Sequence, residues 1–454
     1  MREISRRSAG ALAGAALAST ALPAEAGSVE AGQTKKPNVL VILADDLGWG
    51  NLSCYGSPNI STPNLDALAT QGIRFTDGYS AAAVCSPTRF ALYTGRYPGR
   101  LPGGLAEPIA QPNELEGLPA DHPTLASLLR QAGYSTAMYG KWHCGYLPWY
   151  SPVRSGWQEF FGNFAGGLDY YSKISTNATH DLYEGEVPVE SLDYYTDTLT
   201  ERAVSYIKRP HTSPWLLNLN YTTPHWPWEA PGDVATSQEL TARVKTGDRL
   251  ALVHLDGGSL DIYRRMVESL DAAVGQVLRA LQQSGQERDT LVLFISDNGG
   301  ERFSYHWPFS GNKDELLEGG IRVPTILRWP AKIRGHQTSR TPVITQDWTA
   351  TILAVAGAQP APSHPLDGLN LADHLWSGAP APTRDLFWRT RSQAALRRDR
   401  WKYYRSPAGE YLFDLGTDEH EQANLAKKQP ALVTTLRTRW DEINSGLLPY
   451  PPRV

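Results

Sequence analysis

The 454-residue sequence is poor in cysteine, with three, and has no dominant charge of either sign. Three cysteines are too few for a disulfide framework in a chain of this length, so each needs a local explanation. The 43 basic residues face 47 acidic ones, which gives a net charge of -4. This balance lacks the basic excess that binding to nucleic-acid phosphates requires, so no nucleic-acid partner is expected.

Long hydrophobic runs are also absent, since no stretch approaches the roughly 20 apolar residues that cross a bilayer. The nearest is an Ala/Leu/Gly run over 9–18, which follows three arginines within 2–7 and precedes A-E-A at 24–26. This order is typical of a signal peptide over 1–26, and a polar linker follows over 27–36. We expect an exported protein, periplasmic or secreted, and the arginines fit both a twin-arginine and an ordinary secretory signal.

Hydrophobic residues make up 41% of the sequence, which is enough for a substantial core. Residues 38–43 form an unbroken Val/Leu/Ile run that predicts a buried central strand. Predicted helices and strands then alternate, as in an α/β protein. These elements are helices at 62–72, 124–133 and 260–283, and strands at 136–139, 215–220, 291–296 and 323–329.

The composition changes near residue 384 to short runs that are rich in aromatic and basic residues. Runs at 385–389, 401–405 and 411–415 predict a small antiparallel sheet, and a final helix is expected from about residue 430. We therefore predict a large α/β domain over 37–380 and a small C-terminal α+β domain over 381–454.

Acidic side chains follow two of the predicted strands. Asp45 and Asp46 come directly after the first strand, and Asp297 and Asn298 follow the strand at 291–296. Ligands of open α/β sheets bind at the carboxyl ends of the strands, where these side chains should meet. Adjacent buried carboxylates repel unless a cation lies between them, and an all-oxygen set favours Ca²⁺ or Mg²⁺ over zinc. Asp-Asn-Gly alone is more often a turn, but two such clusters indicate a metal site.

A third feature is the string Cys85-Ser86-Pro87-Thr88-Arg89, which opens a predicted helix over 88–94. The cysteine would lie at the positive end of that helix, where an anion is stabilised. A cysteine among Ala and Val is by itself more often a small buried residue. The surrounding string favours a chemical role instead.

The string C-S-P-T-R resembles the C-x-P-x-R signature of the formylglycine-dependent sulfatases, in which the cysteine is oxidised enzymatically to formylglycine. Further blocks resemble that family in family order, from N-V-L-V-I-L-A-D-D-L-G-W-G through T-G-R-Y-P, G-K-W-H, P-H-W-P and S-D-N-G to E-G-G-I-R-V-P. The block L-F-D-L-G-T-D-E-H-E-Q-A-N-L-A resembles the family's C-terminal region. The resemblance implies an alkaline-phosphatase-like α/β fold, with a large mixed β-sheet flanked by helices and a smaller C-terminal domain with an antiparallel sheet.

The resemblance also implies roles for the matching residues. One Ca²⁺ would be held by Asp45, Asp46, Asp297 and Asn298, together with an oxygen of the formylglycine at Cys85. Arg89 would hold the modified side chain, and the residues around the sulfate and the leaving oxygen would be Lys141, His143, His225 and Lys313. The partners implied are a sulfated small molecule or glycan and a formylglycine-generating or sulfatase-maturing enzyme.

The implied chemistry is hydrolysis of sulfate monoesters. The hydrate of the formylglycine attacks sulfur, and a covalent sulfo-enzyme results. His225, with Lys313, protonates the departing alcohol, and His143 acts as the base that expels sulfate. Two alternatives remain: a phosphodiester or phosphonate monoester hydrolase of the same superfamily, and a catalytically silent glycan-binding protein. The silent protein should have lost a catalytic residue, and none is missing.

Aromatic residues near the predicted site favour a sulfated carbohydrate, attacked at a chain end, as the substrate. Trp226 and Trp228 flank the presumed acid His225, and Trp307 lies in a nearby loop-like segment. Flat aromatic faces pack well against the apolar faces of sugars. Trp142, enclosed in G-K-W-H, is expected to pack in the core instead.

Two cysteines depart from the family pattern without touching an implied role. Cys144 follows His143 where the family commonly has Leu, and Cys54 lies shortly after the metal carboxylates. Packing is the role predicted for both. A disulfide between them in an oxidising compartment stays open, because sequence does not supply the geometry that a disulfide requires.

Overall fold

Helices and strands alternate through most of the chain that the computed structural model describes, residues 36–452. The predicted signal peptide over 1–26 and residues 27–35 of the predicted linker lie outside this range. The strands are β1 Asn38–Ala44, β2 Ile73–Phe75, β3 Gly78–Tyr79, β4 Ser135–Gly140, β5 Glu159–Gly162, β6 Tyr183–Glu184, β7 Val187–Pro188, β8 Trp215–Asn220, β9 Thr290–Ser296, β10 Thr325–Arg328, β11 Gln337–Ser339, β12 Val343–Ile344, β13 Asp385–Arg389, β14 Ala394–Arg398, β15 Trp401–Ser406 and β16 Gly409–Asp414. The α-helices are α1 Pro63–Thr70, α2 Cys85–Thr94, α3 Leu125–Gln131, α4 Tyr195–Lys208, α5 Val234–Lys245, α6 Leu260–Gln283, α7 Glu318–Ile321, α8 Thr345–Ala356, α9 Ala372–Ser377 and α10 Pro430–Ser445.

A mixed ten-stranded sheet forms the centre of the molecule, in the order β11-β2-β10-β9-β1-β8-β4-β5-β6-β7. The central strand β1 runs parallel to β8 on one side and to β9 on the other. The sheet is mixed because β10 runs antiparallel to β9. Together with a separate antiparallel sheet of β13 to β16, this architecture confirms the predicted fold class.

Both faces of the central sheet are covered, which explains the unbroken apolar run of β1. Leu40 and Ile42 point to one face, in the hydrophobic cluster that contains the buried residues of α4 and α6. Val39 and Val41 point to the other face, in the cluster that contains buried residues of α2, α3 and α8. No helix within residues 36–452 has both the length and the apolar character needed to cross a bilayer.

The three cysteines are unpaired. Cys54 packs against the cluster on one face of the central sheet, whereas Cys144 is buried in the cluster on the other face. The sheet therefore separates the two side chains, and the alternative of a Cys54–Cys144 disulfide is wrong. The predicted packing role is confirmed for Cys144, which is fully buried.

The small antiparallel sheet is held between a helix and the rest of the molecule. One face packs against α10 through Val433, Leu436 and Trp440. The other face packs against residues that precede residue 380, including Tyr79 and Ile321. The exact domain boundary between 380 and 381 stays a prediction.

A buried ion network joins this sheet to the preceding part of the chain. Lys402 of β15 donates to Oε1 of Glu318 over 2.9 Å and lies 2.8 Å from Oε1 of Glu421, and all three side chains are inaccessible to solvent or nearly so. Glu318 also accepts from the Tyr79 hydroxyl over 2.6 Å and pairs with Arg322 over 3.3 Å. Removing one partner from such a network leaves an uncompensated buried charge, which is strongly destabilising.

We expect Lys402→Met to lower the free energy of unfolding by about 3 kcal/mol, because two buried carboxylates would lose their shared cation. The measurement is the midpoint of chemical denaturation. The matched control is Lys428→Met, which removes the same charge from an exposed position and should change stability by less than about 0.5 kcal/mol. Equal midpoints for the two variants would contradict a structural role for Lys402.

Candidate functional site

The ends of neighbouring strands bring the predicted site residues together at one edge of the central sheet. β1 ends at Ala44, directly before Asp45 and Asp46, and β9 ends at Ser296, directly before Asp297 and Asn298. β4 ends at Gly140, directly before Lys141, and the chain passes through His225 shortly after β8. Because β1, β4, β8 and β9 run parallel, these residues meet at the carboxyl edge, as the sequence predicts.

Local backbone geometry at this edge is unusual. Asp46 and His143 adopt positive φ values of 60° and 53°, a conformation that costs non-glycine residues on the order of 1 kcal/mol. Gly140 has a φ of 108°, and a Cβ there would lie 1.9 Å from the carbonyl oxygen of Asn220. Only glycine fits at this position, where the chain turns from β4 into Lys141.

Each of the three buried carboxylates has a cationic partner. Arg89 of α2 donates to Oδ2 of Asp297 through Nη2 (2.8 Å) and Nε (3.1 Å). Lys141 Nζ lies 2.5 Å from Asp45 Oδ2. Lys313 Nζ lies 2.6 Å from Asp46 Oδ2. The six side chains are at least nine-tenths buried, so three positive charges balance three negative charges out of water.

Cys85 is the first residue of α2, three residues earlier than the predicted helix start. Its Sγ lies 3.9 Å from Oδ1 of Asp46, and the side chain is buried at the bottom of a cleft. Burial raises the pKa of the Cys85 thiol well above its usual range, more than Lys141 and Lys313 lower it. An unmodified cysteine here is a neutral thiol, which is a weak nucleophile.

The cluster fits a cation. Four side chains offer potential ligand atoms that lie within 4.8 Å of one another: Asp45, Asp46, Cys85 and His225. Oδ1 of Asp45 and Oδ1 of Asn298 are fully buried and have no hydrogen-bond partner within the described residues. Unsatisfied carboxylate and amide oxygens are ligands that a hard ion such as Ca²⁺ prefers.

Asp297 is close to the cluster but occupied by other contacts. Arg89 holds its Oδ2, and its Oδ1 accepts from the backbone N–H of Asp46 over 3.2 Å. Burial and the neighbouring Asp45 raise the pKa of Asp297 to about 7. A cation among these carboxylates would relieve their mutual repulsion. The structure thus brings all five predicted ligands together and adds His225 to them.

Two histidines line the cleft from different sides. Nε2 of His143 lies 2.9 Å from the carbonyl of Ile109 and therefore carries the proton, which leaves Nδ1 with a free lone pair. Burial lowers the pKa of His143 well below its usual range. Nδ1 of His225 donates to the carbonyl of Trp226 over 2.6 Å, and its Nε2 lies 3.6 Å from Oδ2 of Asp46. Burial lowers the pKa of His225 to about 3, although Asp46 opposes the shift.

Lys313 is the charged neighbour of His225 in the cleft. Burial disfavours its ammonium form most strongly, but Asp46, Cys85 and Glu301 together outweigh burial and raise the pKa of Lys313 well above its usual range. Glu301 also lies 3.4 Å from Lys313 Nζ and lines the cleft. The sequence analysis missed Glu301, although it directly follows the S-D-N-G-G block.

The cleft above the cluster has a volume of about 440 Å³, which is ample for a small ligand. Gly166 and Gly167, also missed by the sequence analysis, line it and keep it open. A Cβ at Gly166 would lie 2.5 Å from the His143 ring, and one at Gly167 would lie 2.7 Å from the Trp226 ring. The feature of the sequence that could have identified both positions is the pair of adjacent glycines in A-G-G-L.

The predicted tryptophans have different positions. Trp226 lines the cleft, with its ring centroid 4.1 Å from that of His225. Trp228 is buried and packs edge-on against Tyr263 and Phe303, so its predicted role as a sugar platform is wrong. Trp307 is exposed but is not among the residues that line the cleft. The core position predicted for Trp142 is confirmed.

Comparisons with known proteins find similar sequences and structures. The sequence model of the Sulfatase family matches residues 37–358. Human N-acetylgalactosamine-6-sulfatase is 32% identical over 371 residues, which cover 76% of this chain and 67% of that protein. Mouse arylsulfatase J is 28% identical over 485 residues, which cover 92% and 78%. The crystal structure of Ps i-CgsB in complex with k-i-k-neocarrahexaose superposes with a TM-score of 0.80 at 29% identity and covers 90% of this chain and 92% of that one.

We expect calcium to raise the unfolding temperature of the wild-type protein and to lose this effect in Asp297→Asn. A cation that binds only the folded state stabilises it by mass action, and the variant removes one of three clustered carboxylates. The measurements are thermal unfolding with calcium and with chelator, and the calcium content of the purified protein.

The matched control for this prediction is Asp271→Asn, which changes a buried carboxylate that accepts from Asn64 and Leu65 outside the cluster. That variant should lose stability but keep the calcium effect. Unchanged calcium content in Asp297→Asn would contradict a ligand role for Asp297.

Proposed function

Because the chain belongs to the sulfatase family and is a sulfuric ester hydrolase, we propose that it removes sulfate from the chain end of a sulfated carbohydrate. The observation that carries the proposal is the convergence of Cys85, three carboxylates and three cations at the bottom of one cleft. A relative at 32% identity is an N-acetylgalactosamine-6-sulfatase, and a structural neighbour at 29% identity binds a neocarrahexaose. Both relatives support a sugar substrate.

The nucleophile that we propose is a formylglycine made from Cys85. Its hydrate would supply an oxygen nucleophile, whereas the buried thiol is neutral and weakly reactive. The position at the first turn of α2 supports the proposal, since the helix N-terminus favours negative charge that develops there. A formylglycine-generating or sulfatase-maturing enzyme is then a required partner.

The residues that would hold one Ca²⁺ are Asp45, Asp46, Asp297, Asn298 and the modified residue 85. A bound calcium ion would stabilise negative charge on the reacting oxygens. Its site is supported by the two buried oxygens without hydrogen-bond partners, Oδ1 of Asp45 and Oδ1 of Asn298. Arg89 holds Asp297 in a fixed orientation because two of its donors, Nε and Nη2, both contact Oδ2 of that carboxylate.

The cationic side chains orient the sulfate group. Lys141 and Lys313 carry positive charge beside Cys85, and both side chains are at least nine-tenths buried, so solvent screens that charge weakly. They stabilise the negative charge that sulfate oxygens carry in the transition state. Arg89 lies one turn along the same helix and would contact the modified side chain at position 85.

The two histidines divide the proton transfers. His143 has a free Nδ1 lone pair, as the base in the expulsion of sulfate must have. His225 and Lys313 both contact Asp46 and line the cleft, and we assign them together to protonation of the leaving alcohol. Lys313 is the member of this pair that holds its proton firmly.

The setting of the reaction also belongs to the proposal. We propose that the protein is exported to the periplasm or out of the cell, and that the arginines near residue 6 are part of its export signal. All the residues assigned to the chemistry lie in the predicted domain 37–380. The predicted C-terminal domain 381–454 contributes packing and the buried contact through Lys402.

We expect active preparations to contain a form of the peptide around residue 85 that is lighter by about 18 Da, because oxidation of the thiol to an aldehyde has that mass change. Intact-peptide mass spectrometry measures it. Cys85→Ala should abolish turnover of 4-nitrophenyl sulfate, whereas Cys54→Ala, which changes another cysteine, should keep both the mass shift and the turnover. Full activity from a preparation with unmodified thiol at position 85 would refute the mechanism.

We expect sulfated saccharides to give higher kcat/KM values than aryl sulfates, and Trp226→Ala to lower the values for saccharides by about tenfold. The ring of Trp226 can pack against one face of a sugar, a contact worth about 1 kcal/mol or more. The measurement compares sulfated mono- and oligosaccharides with 4-nitrophenyl sulfate and 4-nitrophenyl phosphate. The matched control is Trp307→Ala, an exposed tryptophan outside the cleft. Preference for the aryl phosphate would favour the phosphoester alternative.

A further inference from the structure

We propose that Arg249 binds a second anionic group of the substrate, a sulfate ester or a carboxylate, on the part of the molecule that leaves with the alcohol oxygen. The proposal deepens the function proposed above and rests on it. It concerns the wall of the cleft formed by residues 246–258, which connect α5 to α6. This connection lies outside the sequence blocks that resemble the family.

The side chain of Arg249 lines the active-site cleft and is free. It makes no hydrogen bond, ion pair or ring contact within residues 36–452. The other permanently charged basic side chain that lines the cleft, Lys313, is held by Asp46 and Glu301. A guanidinium group offers several donors in a planar arrangement that matches the oxygens of sulfate and carboxylate.

The connection that carries Arg249 is fixed in place by contacts on both sides of it. Arg243 donates to Oδ2 of Asp248 (2.9 Å) and to Oδ2 of Asp256 (2.9 Å), so one side chain joins both arms of the connection. Because the carboxylate of Asp248 pairs with Arg243, it does not pair with the neighbouring Arg249. Arg302 donates to the carbonyls of Leu255 (2.6 Å) and Gly257 (2.9 Å).

The interior of the connection packs against the side of the cleft that carries the proposed acid. Ala251 and Leu252 are buried in a small cluster with Leu240, and Trp226 packs against that cluster. Trp226 is also in ring contact with His225. Through Trp226, the wall with Arg249 is therefore continuous with His225, which is assigned to the leaving alcohol.

The charges in the cleft also favour binding of a second anionic group at Arg249. Glu301 and Asp314 line the cleft beside Lys313, where they repel additional anions near the leaving oxygen. Arg249 supplies the same cleft with a positive charge that has no side-chain partner within residues 36–452. A substrate with one sulfate at the reacting position and a second anion on the adjacent part would have a partner for each charge.

The test measures inhibition of 4-nitrophenyl sulfate hydrolysis in the wild type and in Arg249→Gln by three compounds. They are N-acetylgalactosamine 6-sulfate, the 4,6-disulfate of the same sugar, and the 6-sulfate linked to a glucuronate. We expect Arg249→Gln to weaken binding of the disulfate, the uronate disaccharide or both by about three- to tenfold relative to the monosulfate. The two doubly charged compounds distinguish a sulfate partner from a carboxylate partner.

The matched control is Arg279→Gln, which removes an exposed and likewise unpaired arginine of α6 that does not line the cleft. It should change none of the three affinities. The preference of the wild type for double charge should also weaken as salt is added, because Arg249 is exposed.

Two results would overturn the proposal for Arg249: equal affinities of the wild type and Arg249→Gln for all three compounds, or an equal loss for the monosulfate. The proposed sulfatase activity is tested separately by turnover of 4-nitrophenyl sulfate and its loss in Cys85→Ala. A failure of one proposal is therefore distinguishable from a failure of the other.

Discussion

Six charged side chains removed from water together are the constraint on which the rest of the structure depends. Each ion costs several kcal/mol to bury, and the cost is offset only when every charge has a close partner of opposite sign. The three carboxylates and three cations of the site meet this condition pair by pair. Burial of the hydrophobic clusters on both faces of the sheet stabilises the fold and offsets the remaining cost of burying the charges of the site. Even α2, which carries Arg89, is buried along its whole length.

The sequence predicted this convergence because its signals are local. An unbroken apolar run marks a buried parallel strand, and chain direction fixes the end at which Asp45 or Asp297 must appear. The strand at 215–220 and the helix at 260–283 have the predicted bounds. Trp228 was assigned wrongly because its orientation depends on Tyr263 and Phe303, far along the chain. The ion-pair partners of Lys402 could not be predicted from the sequence either, because ion pairs between distant residues leave no periodic pattern in it.

The site separates two tasks between two kinds of structure. Strand ends and the first turn of α2 hold Lys141, Cys85 and the carboxylates, so their positions follow from the sheet itself. The proposed acid His225 and the sugar-packing Trp226 lie on a connecting segment after β8. That segment is braced by hydrogen bonds, among them one from the Tyr170 hydroxyl to the carbonyl of His225 (2.9 Å). A loop braced in this way can hold a catalytic group as firmly as a strand does.

Selectivity among sulfate esters must then arise on the walls of the cleft. The glycines that line the cleft leave no room for a larger side chain: a Cβ at Gly166 would lie 2.5 Å from the His143 ring, and one at Gly167 would lie 2.7 Å from the Trp226 ring. Any substitution there disturbs the chemistry that all substrates share. The connection between α5 and α6 is exposed around Arg249, so its side chains can vary without strain in the core. A sulfatase of this architecture can therefore acquire a new substrate without altering the residues that break the ester bond.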